Sequence, residues 1–217
     1  NIALAFPRSP MLLACTGWDL QNYSQGKMAL GLGSQIKPHI EKRYSAIWQR
    51  PVTQMREAIE SIKAIFECWS EGSELNYQGE FYKFSLMTPI FVPDSMPWKP
   101  PPVWLAALGP LMTKLAGEIS DGVLIHPFSS RKFLDEVTIP ALTDGANKAA
   151  RENKPKLVVL LVVDHMRPDL LTRFDDLYQG GFRWLIDHGI WFTNTFHEHS
   201  YTATGPGHTA ISFGQFP

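Results

Sequence analysis

Two short glycine-containing segments follow predicted β-strands in the first part of the chain. Residues 31–34 (Gly-Leu-Gly-Ser) end one strand, and Gly109-Pro110 end another. Glycine lets a backbone approach a phosphate closely, and a helix that begins after Pro110 would offer unpaired N–H groups to an anion. The same pattern is also typical of ordinary tight turns, so both interpretations stay open. The candidate phosphate-binding residues are Gly31, Gly33, Ser34 (through its hydroxyl), Gly109 and Pro110.

A second candidate site combines a carboxylate and a hydroxyl near the end of the chain. Asp164 follows an apolar run, and Thr204 precedes Gly205-Pro206-Gly207-His208 at a predicted helix start. A carboxylate at a strand end can hold a divalent metal that activates a hydroxyl, and a helix N-terminus stabilises a developing alkoxide. The alternative without catalytic chemistry is that Asp164 caps a helix and that Gly205 and Gly207 form a turn.

The histidines and cysteines predict no further chemistry. His126 ends a strand and is interpreted as a structural residue, while His197 and His199 alternate without the spacing of a His-Glu-x-x-His zinc site. Cys15 and Cys68 each lie in an apolar helical stretch, so both are expected to be buried free thiols. We expect neither a disulfide framework nor a cysteine-based zinc site.

The composition excludes several classes of protein. With 44% hydrophobic and 19% charged residues among 217, the chain is typical of a globular protein. A net charge of −1 without a local basic run argues against a nucleic-acid or anionic-membrane partner. The longest apolar run, Leu157–Val163, is far shorter than the ~20 residues that a membrane helix needs. We therefore predict small-molecule partners, no nucleic acid and no membrane.

Predicted strands and helices alternate along the chain up to about residue 150. The two glycine-containing segments lie within this part. This alternation predicts parallel β/α units. The clearest helix begins at Pro51, carries apolar residues three or four apart, and ends at Gly72. A hairpin is expected around Gln78-Gly79. The predicted strands are Ile2–Phe6, Lys27–Gly33, Val103–Leu108 and Gly122–His126, and the other predicted helices are Met11–Tyr23 and Leu111–Ile119.

A different sequence character begins after residue 150. Residues 151–156 are polar, contain a proline and suit a linker. Leu157–Val163 is then predicted to be a buried strand that opens a second segment, residues 157–217. The expected domains are therefore residues 1–150 and 157–217.

Three stretches of the first segment resemble one enzyme family. They begin at Ala5 (AFPRSPMLLACTGWDLQNYSQGKMALGLGSQ), at Arg50 (RPVTQMREAIESIKAIF) and at Val103 (VWLAALGPLMTKLAGEISDGVLIHPF). They are similar to the luciferase-like monooxygenase superfamily, especially its oxidoreductases that use the deazaflavin coenzyme F420. The resemblance implies a (β/α)8 barrel that binds F420, or alternatively FMN, at the carboxyl ends of its strands. It also implies that Gly33, Ser34, Gly109 and Pro110 lie at the coenzyme, and that the strand ending at His126 points to the same end of the barrel.

The second segment resembles another family. The stretches KPKLVVLLVVDHMRPDLL and GGFRWLIDHGIWFTNTFHEHSYTATGPGHTAISFG look like the amino-terminal end of the alkaline phosphatase superfamily, near its type I phosphodiesterase branch. The resemblance implies that Asp164 ligates zinc and that Thr204 is both a metal ligand and the nucleophile.

Together, these observations predict an α/β protein: part of a (β/α)8 TIM-type barrel followed by part of an alkaline-phosphatase-like α/β segment. A complete barrel needs about 250 residues, so we expect the opening strands to be absent and the sheet edges to be open to association between copies. The favoured activity is hydride transfer between F420, or a flavin, and a small organic substrate. The alternatives are zinc-dependent phosphate-ester hydrolysis and an inactive chimeric chain. Since the chain shows no signal peptide, the expected location is cytoplasmic.

Overall fold

The computed structural model describes residues 2–126, 129–151 and 156–159, together with residues 173, 175–177, 183 and 187. The chain divides into two compact units, Asn1–Leu160 and Leu161–Pro217. The described part of the second unit contains a 3-10 helix, Asp175–Leu177, and an ion pair in which Arg183 donates to Asp187.

The first unit alternates strands and helices, as its sequence predicts. In chain order its elements are β1 (Ile2–Leu4), α1 (Pro10–Tyr23), β2 (Leu30–Gly33), α2 (Lys37–Lys42), α3 (Pro51–Glu71), β3 (Tyr77–Gln78), β4 (Lys83–Phe84), β5 (Val103–Ala106), α4 (Pro110–Ile119), β6 (Gly122–Ile125), α5 (Arg131–Phe133), α6 (Ile139–Lys148) and β7 (Lys156–Val159). A 3-10 turn, Pro89–Phe91, lies between β4 and β5, and a π-helical turn, Leu134–Thr138, joins α5 to α6.

Five of the strands form one parallel sheet in the order β1-β2-β5-β6-β7. Leu4 pairs with Gly33 and Leu32 with Leu105, so the carboxyl ends of these strands meet at one edge. This is an α/β fold with a parallel sheet, consistent with part of a luciferase-like barrel. The strand predicted to open the second segment lies in this same sheet, because Val123 of β6 pairs with Leu157 of β7.

Helix α3 supplies much of the core through the stripe that its sequence predicts. Met55, Ile59 and Ile62 are fully buried, and Phe66 and Trp69 are nearly so. Trp18 of α1 packs edge-to-face on Trp69, with ring centroids 5.3 Å apart. The helix ends at Gly72, whose φ of 70° is the left-handed conformation that glycine adopts without a steric penalty.

The predicted hairpin is the β3–β4 pair, and a buried carboxylate fixes its turn. The side chain of Glu57, on α3, accepts hydrogen bonds from the backbone N–H groups of Glu80, Phe81 and Tyr82 at 3.0, 2.7 and 3.2 Å. Arg50 forms an ion pair with Glu80 and lies over the ring of Phe81. Because three backbone donors need an acceptor here, Glu57 ties the hairpin to α3.

Helices α4 and α6 pack backbone against backbone. A Cβ atom added at Gly117 would lie 2.2 Å from the carbonyl oxygen of Leu142, and one added at Gly145 would lie 2.0 Å from that of Lys114. Nearby, the buried carboxylate of Glu118 receives hydrogen bonds from Arg56 of α3 and Lys148 of α6. These contacts fix the helices that follow β5 and β6.

The structure corrects one predicted burial and shortens the four strands predicted in the first segment. Cys68 is buried as predicted, but Cys15 is exposed because it lies on the side of α1 opposite the core residues Leu13, Ala14 and Trp18. Strand β2 begins at Leu30 and not at Lys27. Strands β1, β5 and β6 end one or two residues earlier than predicted, at Leu4, Ala106 and Ile125. No helix among the described residues is both long enough and apolar enough to cross a membrane.

Candidate functional site

The carboxyl ends of the sheet strands are the natural place for a ligand in a fold of this type. Four of the loops that leave this edge are described in whole or in part: the loop after β1, the Ser34 loop after β2, the Gly109 loop after β5 and the His126 loop after β6. The parallel pairing of these strands therefore brings Ser34, Gly109 and His126 to the same edge.

Gly31 and Gly33 lie inside β2 and are buried there. Gly31 pairs with Ile2 on one side and with Trp104 on the other. A Cβ atom at Gly33 would be only 2.8 Å from Cγ2 of Ile2, closer than real Cβ contacts. The packing of Ile2 of β1 against β2 thus already favours glycine at position 33.

Ser34, the next residue, directs its hydroxyl to its own loop. Its Oγ donates to the carbonyl oxygen of Gln35 at 3.1 Å. Gln35 has a φ of 58°, the left-handed region that non-glycine residues adopt at an energetic cost. Its side-chain oxygen accepts a hydrogen bond from the N–H of Ile36 at 3.1 Å. The chain therefore turns sharply at the end of β2, with Ser34 half-buried at the turn.

Gly109 differs from Gly33 in that nothing in the structure requires a glycine there. Its φ is −84°, which every residue adopts, and a Cβ atom added to it would meet nothing within 4 Å. It is the N-cap of α4, and Pro110 is the first residue of the helix. No side chain caps α4, as is also the case for α2 and α3. Gly109 thus leaves open space beside helix N–H groups that an anion can use.

A pocket of about 320 Å³ opens beside the Gly109 loop. It is lined by Leu108 from the loop after β5, by His126, Ser129 and Ser130 from the loop after β6, and by Phe133 of α5. The sequence pattern favoured a structural role for His126 and did not indicate a role for the other four residues. The available signal was the Ser129-Ser130 pair ahead of a helix, since serine is a preferred N-cap.

The carboxyl-end edge also exposes several aliphatic side chains. Ile36 follows β2, while Leu108 and Leu111 follow β5, and all three are more than half exposed. Large exposed apolar groups that cluster at one place mark binding surfaces more often than chance would give. The edge thus combines uncapped helix N–H groups with apolar surface, which suits a ligand with an anionic end and a flat apolar ring.

The second predicted site falls outside the described residues. Asp164, Thr204, His197 and His199 all lie there, so their placement stays a prediction. Within the part of the chain that the structure describes, no group of three His, Cys, Asp or Glu side chains could hold a metal ion.

The parallel sheet, with loops at the carboxyl ends of its strands, shows that this is an α/β protein whose fold corresponds to part of a (β/α) barrel. Comparison with known proteins gives the family. The family model for luciferase-like monooxygenases matches residues 2–207, and this chain belongs to that family. The match covers most of the segment that resembles alkaline phosphatases; neither that resemblance nor a chimeric origin gains support from the comparisons.

Several relatives match about two thirds to three quarters of the chain. An uncharacterized protein of Mycobacterium tuberculosis is 48% identical over 152 residues, which are 70% of this chain and 45% of the relative. The 5,10-methylenetetrahydromethanopterin reductase of Archaeoglobus fulgidus is 30% identical (76% of this chain, 53% of the relative). The F420-dependent glucose-6-phosphate dehydrogenase of Nakamurella multipartita is also 30% identical (65% and 40%).

The fold is also similar to that of a solved structure. A solved F420-dependent secondary alcohol dehydrogenase, in complex with an F420-acetone adduct, superposes with a TM-score of 0.58 at 19% identity, over 73% of this chain and 47% of that protein. The chain thus spans about half the length of the proteins that it matches.

Proposed function

We propose that this chain forms the coenzyme-binding part of an F420-dependent oxidoreductase that transfers a hydride between the coenzyme and a small organic substrate. The alternative coenzyme is FMN. A relative that is 30% identical over 142 residues is an F420-dependent glucose-6-phosphate dehydrogenase, which supports this proposal. The observation that carries it is Gly109, a glycine that neither the backbone conformation nor the packing requires.

A phosphate group on the coenzyme would take the space beside Gly109. Any side chain at this position would project into that space, whereas glycine leaves the backbone open to close approach. The N–H groups in the first turn of α4 would then donate to the phosphate oxygens, as helix N-termini do in other nucleotide sites. Pro110 fixes the first residue of the helix without occupying a donor position.

The ring system of the coenzyme would lie against the exposed aliphatic groups of the same edge. Ile36, Leu108 and Leu111 offer an apolar surface that is costly to leave in water. When bound, F420 supplies the atom that accepts or donates the hydride. The chain's own side chains bind the coenzyme, orient it and keep water from the ring.

Equilibrium binding tests this proposal directly. The purified chain is dialysed against F420 and, separately, against FMN, with inorganic phosphate in both chambers to compete for non-specific anion binding. We expect saturable binding of one coenzyme with one site per chain. The absence of binding to both, in a chain that unfolds cooperatively, would overturn the proposal.

We also propose a test of the second candidate, zinc-dependent phosphate-ester hydrolysis, which the motifs around Asp164 and Thr204 favour. In this case hydrolysis of p-nitrophenyl phosphate would require zinc, stop on chelation, and be abolished in Thr204→Ala. An unchanged rate in Thr204→Ala, or no hydrolysis with zinc present, would exclude it.

A further inference from the structure

We propose that another pocket, the α3-end pocket, binds a small apolar molecule that carries a neutral oxygen acceptor. This pocket lies at the carboxyl end of α3 and measures about 660 Å³, within the ~300–1,000 Å³ usual for small-molecule pockets. Its walls are the end of α3 and the segment that follows β4, and they include Cys68, Trp69, Leu86, Met87 and Val92. The inference goes beyond the proposed function and does not rest on it.

The α3-end pocket lies at the opposite edge of the sheet from Gly109. Lys63 of α3 pairs with Asp121 at 2.9 Å, and Asp121 accepts a hydrogen bond from the N–H of Val103, the first residue of β5. The second half of α3 therefore passes the amino ends of β5 and β6, and the helix continues beyond them to its end at Gly72. A ligand in this pocket would be remote from the loop that follows the carboxyl end of β5.

The indole N–H of Trp69 gives the pocket an unsatisfied hydrogen-bond donor. Trp69 lines the pocket and is only 7% exposed, and its Nε1 has no hydrogen-bond partner among the described residues. The neighbouring Trp18 packs edge-to-face on Trp69 but donates its own Nε1–H to the carbonyl oxygen of Asp94 at 3.3 Å. A buried donor without an acceptor is destabilising, so a ligand that supplies an acceptor to Trp69 would bind favourably.

The outer wall of the pocket is apolar and open to solvent. Leu86 and Val92 line the pocket from the segment after β4, and both side chains are exposed. Met87 and Pro89 of the same segment complete this wall. Because apolar surface is costly to leave in water, an apolar molecule held between this segment and α3 would be stabilised.

The charge of the pocket favours a neutral ligand over an anion. Glu74 is the one charged residue in the lining, and it is exposed. The pocket also adjoins the end of α3, where the carbonyl groups of the last turn carry partial negative charge. A carboxylate or phosphate would be repelled here, whereas an amide oxygen accepts a hydrogen bond without bringing a charge.

Nuclear magnetic resonance of the indole N–H groups tests this inference directly. The full chain has seven tryptophans, and the indole resonance that disappears in Trp69→Phe assigns Trp69. The probes share a naphthalene ring: 1-naphthylacetamide carries a neutral acceptor, 1-naphthylacetate is an anion, and 1-methylnaphthalene has no acceptor. We expect the amide to move the Trp69 resonance downfield saturably. The resonance of Trp18, which is already bonded to Asp94, should stay in place.

Trp69→Phe keeps an aromatic ring and removes the N–H. Equilibrium dialysis should show about fivefold weaker binding of 1-naphthylacetamide to this variant and unchanged binding of 1-methylnaphthalene, because only the amide uses the donor.

Glu74→Gln tests the charge of the pocket. The parent chain should bind 1-naphthylacetate about fivefold more weakly than the amide, and Glu74→Gln should reduce this difference to about twofold. Glu67→Gln is the matched control, because Glu67 is an exposed residue of α3 outside the pocket lining. It should leave the difference as it is in the parent chain.

Leu86→Ala and Ile90→Ala test the apolar wall without disturbing the core. The two side chains belong to the same segment and are 76% and 85% exposed, but only Leu86 lines the pocket. Since neither is buried, both variants should fold. Leu86→Ala should weaken binding of the amide by about fivefold, and Ile90→Ala should leave it unchanged.

Three results would overturn the inference. The first is the absence of saturable amide binding, or equal affinity for the parent chain, Leu86→Ala and Ile90→Ala. The second is an amide that binds while the Trp69 resonance stays in place. The third is tighter binding of 1-naphthylacetate than of the amide, which would make the pocket an anion site. None of these results bears on coenzyme binding at Gly109, so the proposed function stands or fails separately.

Discussion

Gly33 of β2 faces Ile2 of β1 so closely that a Cβ atom at position 33 would lie 2.8 Å from Cγ2 of Ile2. Gly109 stands at the end of β5 with nothing within 4 Å of the same hypothetical atom. The two glycines resemble each other in sequence, since both close a strand, yet they differ in what they allow. Gly33 lets two strands pack, whereas Gly109 leaves space that the protein itself does not fill.

This contrast predicts that the same substitution lowers stability at one glycine and leaves it almost unchanged at the other. Gly33→Ala should lower the free energy of unfolding by about 1–3 kcal/mol, the usual cost of forcing a methyl group into a packed site. Gly109→Ala is the matched control and should change it by less than about 0.5 kcal/mol. Urea denaturation followed by circular dichroism measures both. Equal stability in the two variants would contradict the packing role of Gly33.

Removing the charge of Glu57 should loosen the hairpin. Its carboxylate accepts three backbone hydrogen bonds, and the side chain is only 8% exposed. In Glu57→Gln an amide N–H₂ group would face backbone donors, so we expect a loss of about 2 kcal/mol in the free energy of unfolding. Urea denaturation measures this loss, and limited proteolysis should show faster cleavage between β3 and β4.

The control for this variant is Glu67→Gln, which removes a charge from an exposed position of the same helix. It should leave both the unfolding free energy and the cleavage rate near those of the parent chain. A similar small effect in both variants would mean that the hairpin does not depend on Glu57.

Glu118 should make stability depend on pH in the acid range. Burial alone would raise the pKa of this carboxyl, but hydrogen bonds from Arg56 and Lys148 outweigh it and hold the pKa below its ordinary value. A lowered pKa in the folded state means that the unfolded chain binds more protons at acid pH. The stabilisation is therefore present above the unfolded-state pKa of about 4.3 and is lost as the pH falls through the folded-state value.

Glu118→Gln provides the measurement. The difference in unfolding free energy between the parent chain and this variant should be largest near neutral pH and should shrink as the pH falls below about 4.3. A difference that stays constant down to pH 2.5 would show that the charge of Glu118 contributes nothing.

Local sequence patterns predicted most of the first unit. The apolar stripe of α3, its end at Gly72, the hairpin near Gln78 and the alternation of strands and helices were confirmed, because each depends on residues close together in the chain. The exposure of Cys15 was predicted wrongly, since an apolar helical stretch does not reveal which side faces the core.

Local sequence patterns could not predict contacts between residues that lie far apart in the sequence. Glu57 meets the turn at Phe81, and Gly145 meets Lys114, only because the fold brings separate elements together. The same holds for the candidate site. The glycine pattern proposed Gly33 and Gly109 alike, and only the neighbours of each distinguish a packing glycine from one that leaves open space. The pocket at His126 likewise joins two loops that the sequence separates.

The open space at Gly109 is the proposed binding site of the coenzyme. The most direct test of this proposal is a fluorescence titration of F420 into the parent chain, Gly109→Ala and Gly109→Val, with Gly72→Asn as the control. Gly72→Asn replaces a glycine at the end of α3, where asparagine tolerates the left-handed conformation. We predict saturable binding to the parent chain and the control, about tenfold weaker binding to Gly109→Ala, and none to Gly109→Val, with all four chains folded. Equal affinity of F420 for the parent chain and Gly109→Val, or no binding to any of the four, would contradict the account.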